Sequence, residues 1–279
     1  MNNEALNRLR WRRSICSSVG LLRLKAHPIQ MSACDKVLLA FDFDHTIIEV
    51  NSDYHVRKLA PGGVIPHEIV ALHSDEGWTK CMAEIFRYLH ENSVKPKDIL
   101  DCMSEVEFTS GMVELFENLN MEKVDIIIIS DANSVFIDHI LETNGRKNLF
   151  HSVFTNPAFF DENGRLSLEG YHVQDHCTLS TKNLCKGQIL EDFITARRLD
   201  GIKYSLVGYI GDGMNDFCPG LKLSEVDLFF PRQGFSLVKY IQKMETEQGL
   251  KVRAELCLWN TGLDILEKIK EKRPDVIKS

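Results

Sequence analysis

The chain has 279 residues, 44% hydrophobic and 26% charged, which is the balance of a soluble globular protein with room for one large domain or two modest ones. Its longest apolar runs, such as Ile126 to Ile129, are far too short to span a bilayer, so no membrane insertion is expected. The net charge of −7 is uneven: residues 1–30 hold six basic side chains and one acid, leaving 27 basic against 39 acidic in the rest, and a body that acidic argues against a nucleic-acid partner.

In chain order, residues 1–35 read as an extension outside the fold. Rich in Arg, Ser and Leu and poor in acids, the first thirty suit either a mitochondrial transit peptide or an extension ahead of a functional start at Met31. Eight cysteines with no C-x-x-C pair predict reduced thiols in an intracellular protein, cytoplasmic unless the extension directs it to mitochondria. From residue 36 strand and helix patterns alternate, the signature of a parallel sheet covered by helices. Strands are predicted at 37–43, 125–130, 152–156, 205–211 and 226–230, with a sixth at 252–259. Helical periodicity fills the gaps, at Val135, Phe136, His139 and Ile140, and again at Ile189, Leu190, Phe193 and Ile194. The stretch from about 53 to 108 holds only helical patterns, at 66–91 and 96–105. It is expected to form a smaller helical cap (54–107) over the carboxyl edge of a doubly wound, Rossmann-like core (36–53 and 108–272). Glu162-Asn163-Gly164 marks a hairpin turn.

Two acidic clusters carry the chemistry. FDFDHTIIEVNSD, residues 41–53, places Asp42 and Asp44 on either side of Phe43 just where the first strand ends. Gly211-Asp212-Gly213-Met214-Asn215-Asp216 follows the apolar strand ending in Ile210, so both pairs emerge at one edge of one sheet. Carboxylates crowded in this way repel, and converging oxygen ligands call for a hard cation, Mg²⁺. Magnesium keeps open positions for water and a substrate phosphate oxygen, which predicts a small phosphorylated metabolite as partner. Ser130 after the second strand and Lys186 at the start of a helix over 186–199 complete a phosphate pocket. Taken singly, each is more often a turn residue or a solvated surface charge.

The ordered set D-x-D-x-T, strand-Ser, Lys, G-D-G-x-N-D resembles the haloacid dehalogenase-like (HAD) phosphatase superfamily over residues 37 to about 260. FDFDHTIIEVNSD, IIISDANSVFID (127–138), VFTNPAFF (153–160), KNLCK (182–186), GDGMNDFCP (211–219) and Pro231-Arg232 resemble its pyridoxal-phosphate phosphatase and phosphoethanolamine/phosphocholine phosphatase subfamily. The resemblance implies that Asp42 is the nucleophile of an aspartyl-phosphate mechanism and that Asp44 is the general acid and base, which requires a pKa above the ordinary 3.9 or so. It also implies that Asp42, the Asp44 carbonyl and Asp212 ligate Mg²⁺, with Asp216 orienting a metal-bound water or Lys186. Thr46, Ser130 and Lys186 would hold the phosphoryl oxygens. Asp53 and Asp131 would meet the leaving group, although Asp131 also suits a helix N-cap. Trp78, Phe86 and Tyr88 suit either stacking on a ring or the core. In HCTLSTKNLCK, where relatives carry a middle cysteine and a proline, Ser180 and Thr181 stand between Cys177 and Cys185. A zinc site there would have to recruit His172 or His176 and is not expected.

The expected activity is Mg²⁺-dependent hydrolysis of pyridoxal 5′-phosphate, with phosphoethanolamine or phosphocholine as the alternative substrate. A phospho-aspartate switch module would also use Mg²⁺, but such modules are about half this length and carry the aspartate on a later strand. A catalytically dead scaffold is disfavoured because every chemical position is filled. The oligomeric state is not legible.

Overall fold

A six-stranded, all-parallel sheet in the order β3-β2-β1-β6-β7-β8 organises the molecule. The computed structural model describes residues 34–278, so the N-terminal extension lies outside the described residues except for Cys34 and Asp35, which belong to the first strand. The strands are β1 (Cys34–Phe41), β2 (Val124–Asn133), β3 (Ser152–Asn156), β6 (Ile202–Gly211), β7 (Leu228–Pro231) and β8 (Glu255–Leu256). The sixth strand is thus two residues long rather than spanning 252–259. The hairpin β4 (Ala158–Phe160) and β5 (Leu166–Leu168) turns around Gly164, whose φ of 80° favours glycine.

Alternation along β1 divides two apolar layers. Val37, Leu39 and Phe41 face α3 (Trp78–Glu91), α4 (Pro96–Ser104), α5 (Met112–Asn118), α6 (Ser134–Thr143) and α10 (Gly262–Lys272). Leu38 and Ala40 face the opposite layer, formed by α7 (Lys186–Leu199), α8 (Phe217–Lys222) and α9 (Ser236–Gln248). The buried strands need near-continuous apolar sequence because both faces are covered. Asp125, buried within β2, is matched by Lys36 at 2.7 Å, Arg197 at 3.0 Å and the Tyr204 hydroxyl at 2.5 Å.

Between β1 and β2 run α1 (Ser52–His55), α2 (His67–Glu76), α3, α4 and α5. The predicted stretch 66–91 is broken at Gly77, whose φ of 89° no continuing helix adopts. Phe86 of α3 meets Phe136 of α6 edge to face at 5.7 Å, which ties the inserted helices to the layer beside the sheet. The described residues form one compact unit, and among them no helix is long and apolar enough to cross a membrane.

Candidate active site

The chain runs outward from β1 through β2 to β3, then returns to β6 on the other side of β1. Adjacent strands whose connections leave in opposite directions open a crevice at their carboxyl ends. Into that crevice β1 delivers Asp42 and Asp44, β6 delivers Asp212, and β2 contributes Ser130 and Asp131 from the neighbouring strand end. Ser130 does not end β2, as the apolar run suggested. The strand continues to Asn133, but its register with β3 slips between Ile129 and Asn133, and this irregular stretch carries Ser130 and Asp131 into the crevice.

Lys186, almost fully buried at the first position of α7, lies 2.6 Å from Asp42 Oδ2 and 2.7 Å from Asp216 Oδ1. Burial opposes its charge, but Asp216, Asp42 and Asp131 more than offset that cost and hold its pKa above the ordinary lysine value. Asp216 also accepts from the Tyr209 hydroxyl at 2.8 Å and from the Asp212 and Gly213 amides at 3.0 Å each. Gly211 is required for this approach, since a Cβ there would lie 2.4 Å from the Asp216 carboxyl. The oxygens of Asp42, Asp212 and Asp216 lie within 4.8 Å of one another. Burial, with Asp216 reinforcing it and Lys186 opposing, raises Asp42 to about 7. Burial, followed by the charges of Asp42 and Asp216, raises Asp212 to about 8. Crowded oxygens with this unmet charge are the donor set a hard dication requires. Thr46, fully buried, directs its hydroxyl to Asp212 Oδ1 at 3.4 Å.

Asp44 points the other way along the loop. The Ser52 amide and hydroxyl donate to its two oxygens at 3.1 and 3.2 Å, and burial, then the charge of Asp53, raises its pKa well above the ordinary value. Asp53 accepts the Trp78 indole N–H at 2.7 Å, while its other oxygen is buried without a partner. Burial lifts Asp53 to about 6 against the opposing effects of Trp78 and Arg57. Asp131 is not the helix cap: Asn133 takes that role by accepting from the Phe136 amide at 3.0 Å. Asp131 instead accepts from Asn215 at 2.7 Å and from Asn183 at 3.5 Å, and its pKa is raised by burial.

An inner cavity of about 170 Å³ is bounded by Asp42, Asp44, Asp53, Ser130, Asp131 and Asp212. Trp78, Asn51, Asp131 and Asn215 are shared with an outer cavity of about 480 Å³ that adds His73, Leu179, Met214 and Tyr240. Of the three aromatic residues singled out in the helical stretch, Trp78 lines both cavities. Phe86 is core, and Tyr88 packs against the core.

Several residues at the site have no role in the sequence reading. Arg232 donates to the His45 carbonyl at 2.6 Å and forks onto Glu49 at 2.9 Å to each oxygen. Its guanidinium also lies over the rings of Phe235 and Trp259. It thereby clamps the loop behind the first aspartates, in which His45 holds the uncommon left-handed φ of 53°. An arginine directly after the last residue of an apolar strand was the available signal. Tyr209 was signalled by a hydroxyl inside an apolar strand, which must find a partner when buried.

A sequence family described as Putative Phosphatase matches residues 37–272. The pyridoxal phosphate phosphatase PHOSPHO2 of Mus musculus is 40% identical over 238 residues, covering 84% of this chain and 98% of that protein. The phosphoethanolamine/phosphocholine phosphatase of Homo sapiens is 32% identical over 254 residues, covering 90% and 95%. Among solved structures, a phospho-aspartyl intermediate analogue of phosphoserine phosphatase shares the fold with a TM-score of 0.55 at 18% identity, covering 84% of this chain and 98% of that one.

Proposed function

The chain belongs to the Putative Phosphatase family of HAD-type phosphoric monoester hydrolases, and from that premise we propose that it hydrolyses pyridoxal 5′-phosphate with Mg²⁺ through an aspartyl-phosphate at Asp42. The supporting observation is the pairing of Asp42 with Lys186 on the floor of a chamber walled by Trp78, Asp53 and Asp131.

An Asp42 oxygen attacks phosphorus as the ester P–O bond breaks, and Asp44 donates its proton to the leaving alkoxide. Water then attacks the acyl phosphate, Asp44 takes the water proton, and inorganic phosphate leaves. Asp44 suits both steps because its raised pKa keeps the proton available and Ser52 fixes the orientation of the carboxyl. Ser130 accepts the Ala132 amide at 3.2 Å, which leaves its hydroxyl hydrogen free for a phosphoryl oxygen. Thr46 and Lys186 supply further donors, and Lys186 screens the nucleophile from the incoming dianion. Asp42, Asp212 and the Asp44 carbonyl would hold Mg²⁺, which when bound supplies positive charge to the phosphoryl oxygens. Asp216, already accepting four hydrogen bonds, positions Lys186 and the loop after β6.

For the leaving group, the outer cavity is of ligand size and carries the aromatic faces of Trp78, His73 and Tyr240, which suits a flat ring. The free oxygen of Asp53 can accept from a ring hydroxyl or ring N–H. The alternative, phosphoethanolamine or phosphocholine, is favoured by the two carboxylates. Both are already hydrogen-bonded and raised in pKa, however, which weakens their claim on a permanent cation.

The test is phosphate release from pyridoxal phosphate, phosphoethanolamine, phosphocholine and thiamine phosphate, with Mg²⁺ or EDTA, beside Asp42→Asn. Preferred turnover of pyridoxal phosphate, lost on chelation and in the variant, is expected. Activity that survives either treatment would overturn the mechanism, and preference for a choline or ethanolamine ester would overturn the substrate.

A further inference from the structure

The loop before α7, residues 169–185, folds Cys177 back toward Cys185, and the segment after β6 brings in a third thiol, Cys218. The three sulfurs lie within 4.8 Å of one another, with Cys218 at 3.5 Å from Cys177 and 3.8 Å from Cys185. The Ser180 hydroxyl is 3.4 Å from both Cys177 Sγ and Cys185 Sγ. A zinc ion with Zn–S bonds of about 2.3 Å separates its tetrahedral sulfurs by about 3.8 Å, close to the two distances that Cys218 makes. Gly187 is what lets Cys218 approach, since a Cβ there would lie 2.6 Å from its sulfur. The third soft ligand that the sequence reading sought in His172 or His176 is offered instead by Cys218, while His172 is engaged with the Cys185 amide at 2.9 Å.

We propose that Cys177, Cys185 and Cys218, with Ser180 beside them, form a Zn²⁺ site separate from the carboxylate crevice. A cavity of about 360 Å³ bounded by the three cysteines, His176, Gln188 and Lys222 gives the ion access and leaves a fourth position for water or the Ser180 hydroxyl. Binding exchanges three S–H bonds for three Zn–S bonds and releases three protons to solvent. Thiolate ligands exclude Mg²⁺ from this site just as the all-oxygen set disfavours zinc in the other. The position matters because Cys185 precedes Lys186 and Cys218 lies two residues beyond Asp216. The ion would join the N-terminus of α7 to the segment that carries the lysine's counter-charge.

The experiment adds Co²⁺ to the reduced full chain in excess Mg²⁺ and records the near-ultraviolet thiolate-to-cobalt charge-transfer band. One equivalent of Co²⁺ should produce the band, and Zn²⁺ should abolish it. Cys177→Ser, at the half-exposed cysteine, should lose most of the band, whereas Cys81→Ser, remote from the cluster, should keep it. Ser180→Cys should raise its intensity by about one-third, because three thiolates become four, a gain that misfolding cannot mimic. Absence of a thiolate band in the reduced protein, or a band unchanged in both Cys177→Ser and Ser180→Cys, would overturn the site and leave the cysteines as packed thiols.

Discussion

Lys186 is held between two buried carboxylates, and its loss would leave both without a counter-charge. Breaking a buried ion pair from one side costs about 3–5 kcal/mol. Lys186→Met is therefore expected to lower both melting temperature and turnover, whereas Asp216→Asn, which keeps its shape and one charged partner for the lysine, should fold better and still lose activity. Calorimetry beside phosphate release separates the two. Trp78→Phe keeps the aromatic face but removes the N–H that Asp53 accepts. KM for the preferred ester should rise roughly tenfold with a smaller change in kcat, the cost of one hydrogen bond to a charged group. An unchanged KM would mean that the Trp78–Asp53 hydrogen bond does not shape the substrate pocket. At this scale, the residues legible in the sequence were those at element ends, because a strand fixes where its last side chain points: Asp42 and Asp212 follow β1 and β6 into the crevice, and Lys186, at the start of α7, reaches Asp42. The sequence left Trp78 open between ring stacking and core and gave Asn215 and Arg232 no role, since their contacts cross 25, 84 and 187 residues of chain, and periodicity carries no record of such distances.

At the level of elements, strand cores and the start of α7 followed from apolar runs. Breaks and slips did not, because the bend at Gly77 and the irregularity at Ser130 arise from φ/ψ and register. The return from the inserted helices is fixed at one point. Gly111 has a φ of 75°, and a Cβ there would meet the Leu263 amide nitrogen at 2.9 Å, while the Gly262 amide donates to the Ser110 carbonyl at 2.8 Å. Gly111→Ala should destabilise the fold by about 1–3 kcal/mol, read as a lowered urea midpoint, with activity per folded molecule retained. Because that junction is pinned to α10, any closing of α1–α3 over the crevice has to pivot upstream of it. We predict that Mg²⁺ with a phosphate mimic protects the segment around Asp53–Tyr54 from limited proteolysis. Equal cleavage with and without the mimic would mean the helices do not move.

For the whole molecule, the crowded carboxyls set a pH dependence with a definite sign. A carboxyl whose pKa is raised on folding binds its proton more tightly when folded. Its contribution to stability is complete below the unfolded value near 3.9 and is lost as pH rises through the folded one, about 7 for Asp42 and about 8 for Asp212. With EDTA present, the melting temperature should therefore fall between about pH 5 and pH 8. Mg²⁺ should restore roughly 5 °C at the upper end and almost nothing at the lower. A melting temperature that is flat with pH in EDTA would mean the carboxyls are not strained.

The strand order has a consequence in time. β1 is made first yet occupies the middle of the sheet, where Val37 pairs with Leu206. Asp42 and Asp44 are therefore synthesised long before Lys186, Asp212 and Asp216, by roughly ten to thirty seconds at ordinary elongation rates. Throughout that interval the first aspartates have no lysine beside them, no burial and no second carboxylate, and they titrate as free side chains do. A nascent chain is thus chemically silent toward phosphate esters until its last third has emerged and slotted into place.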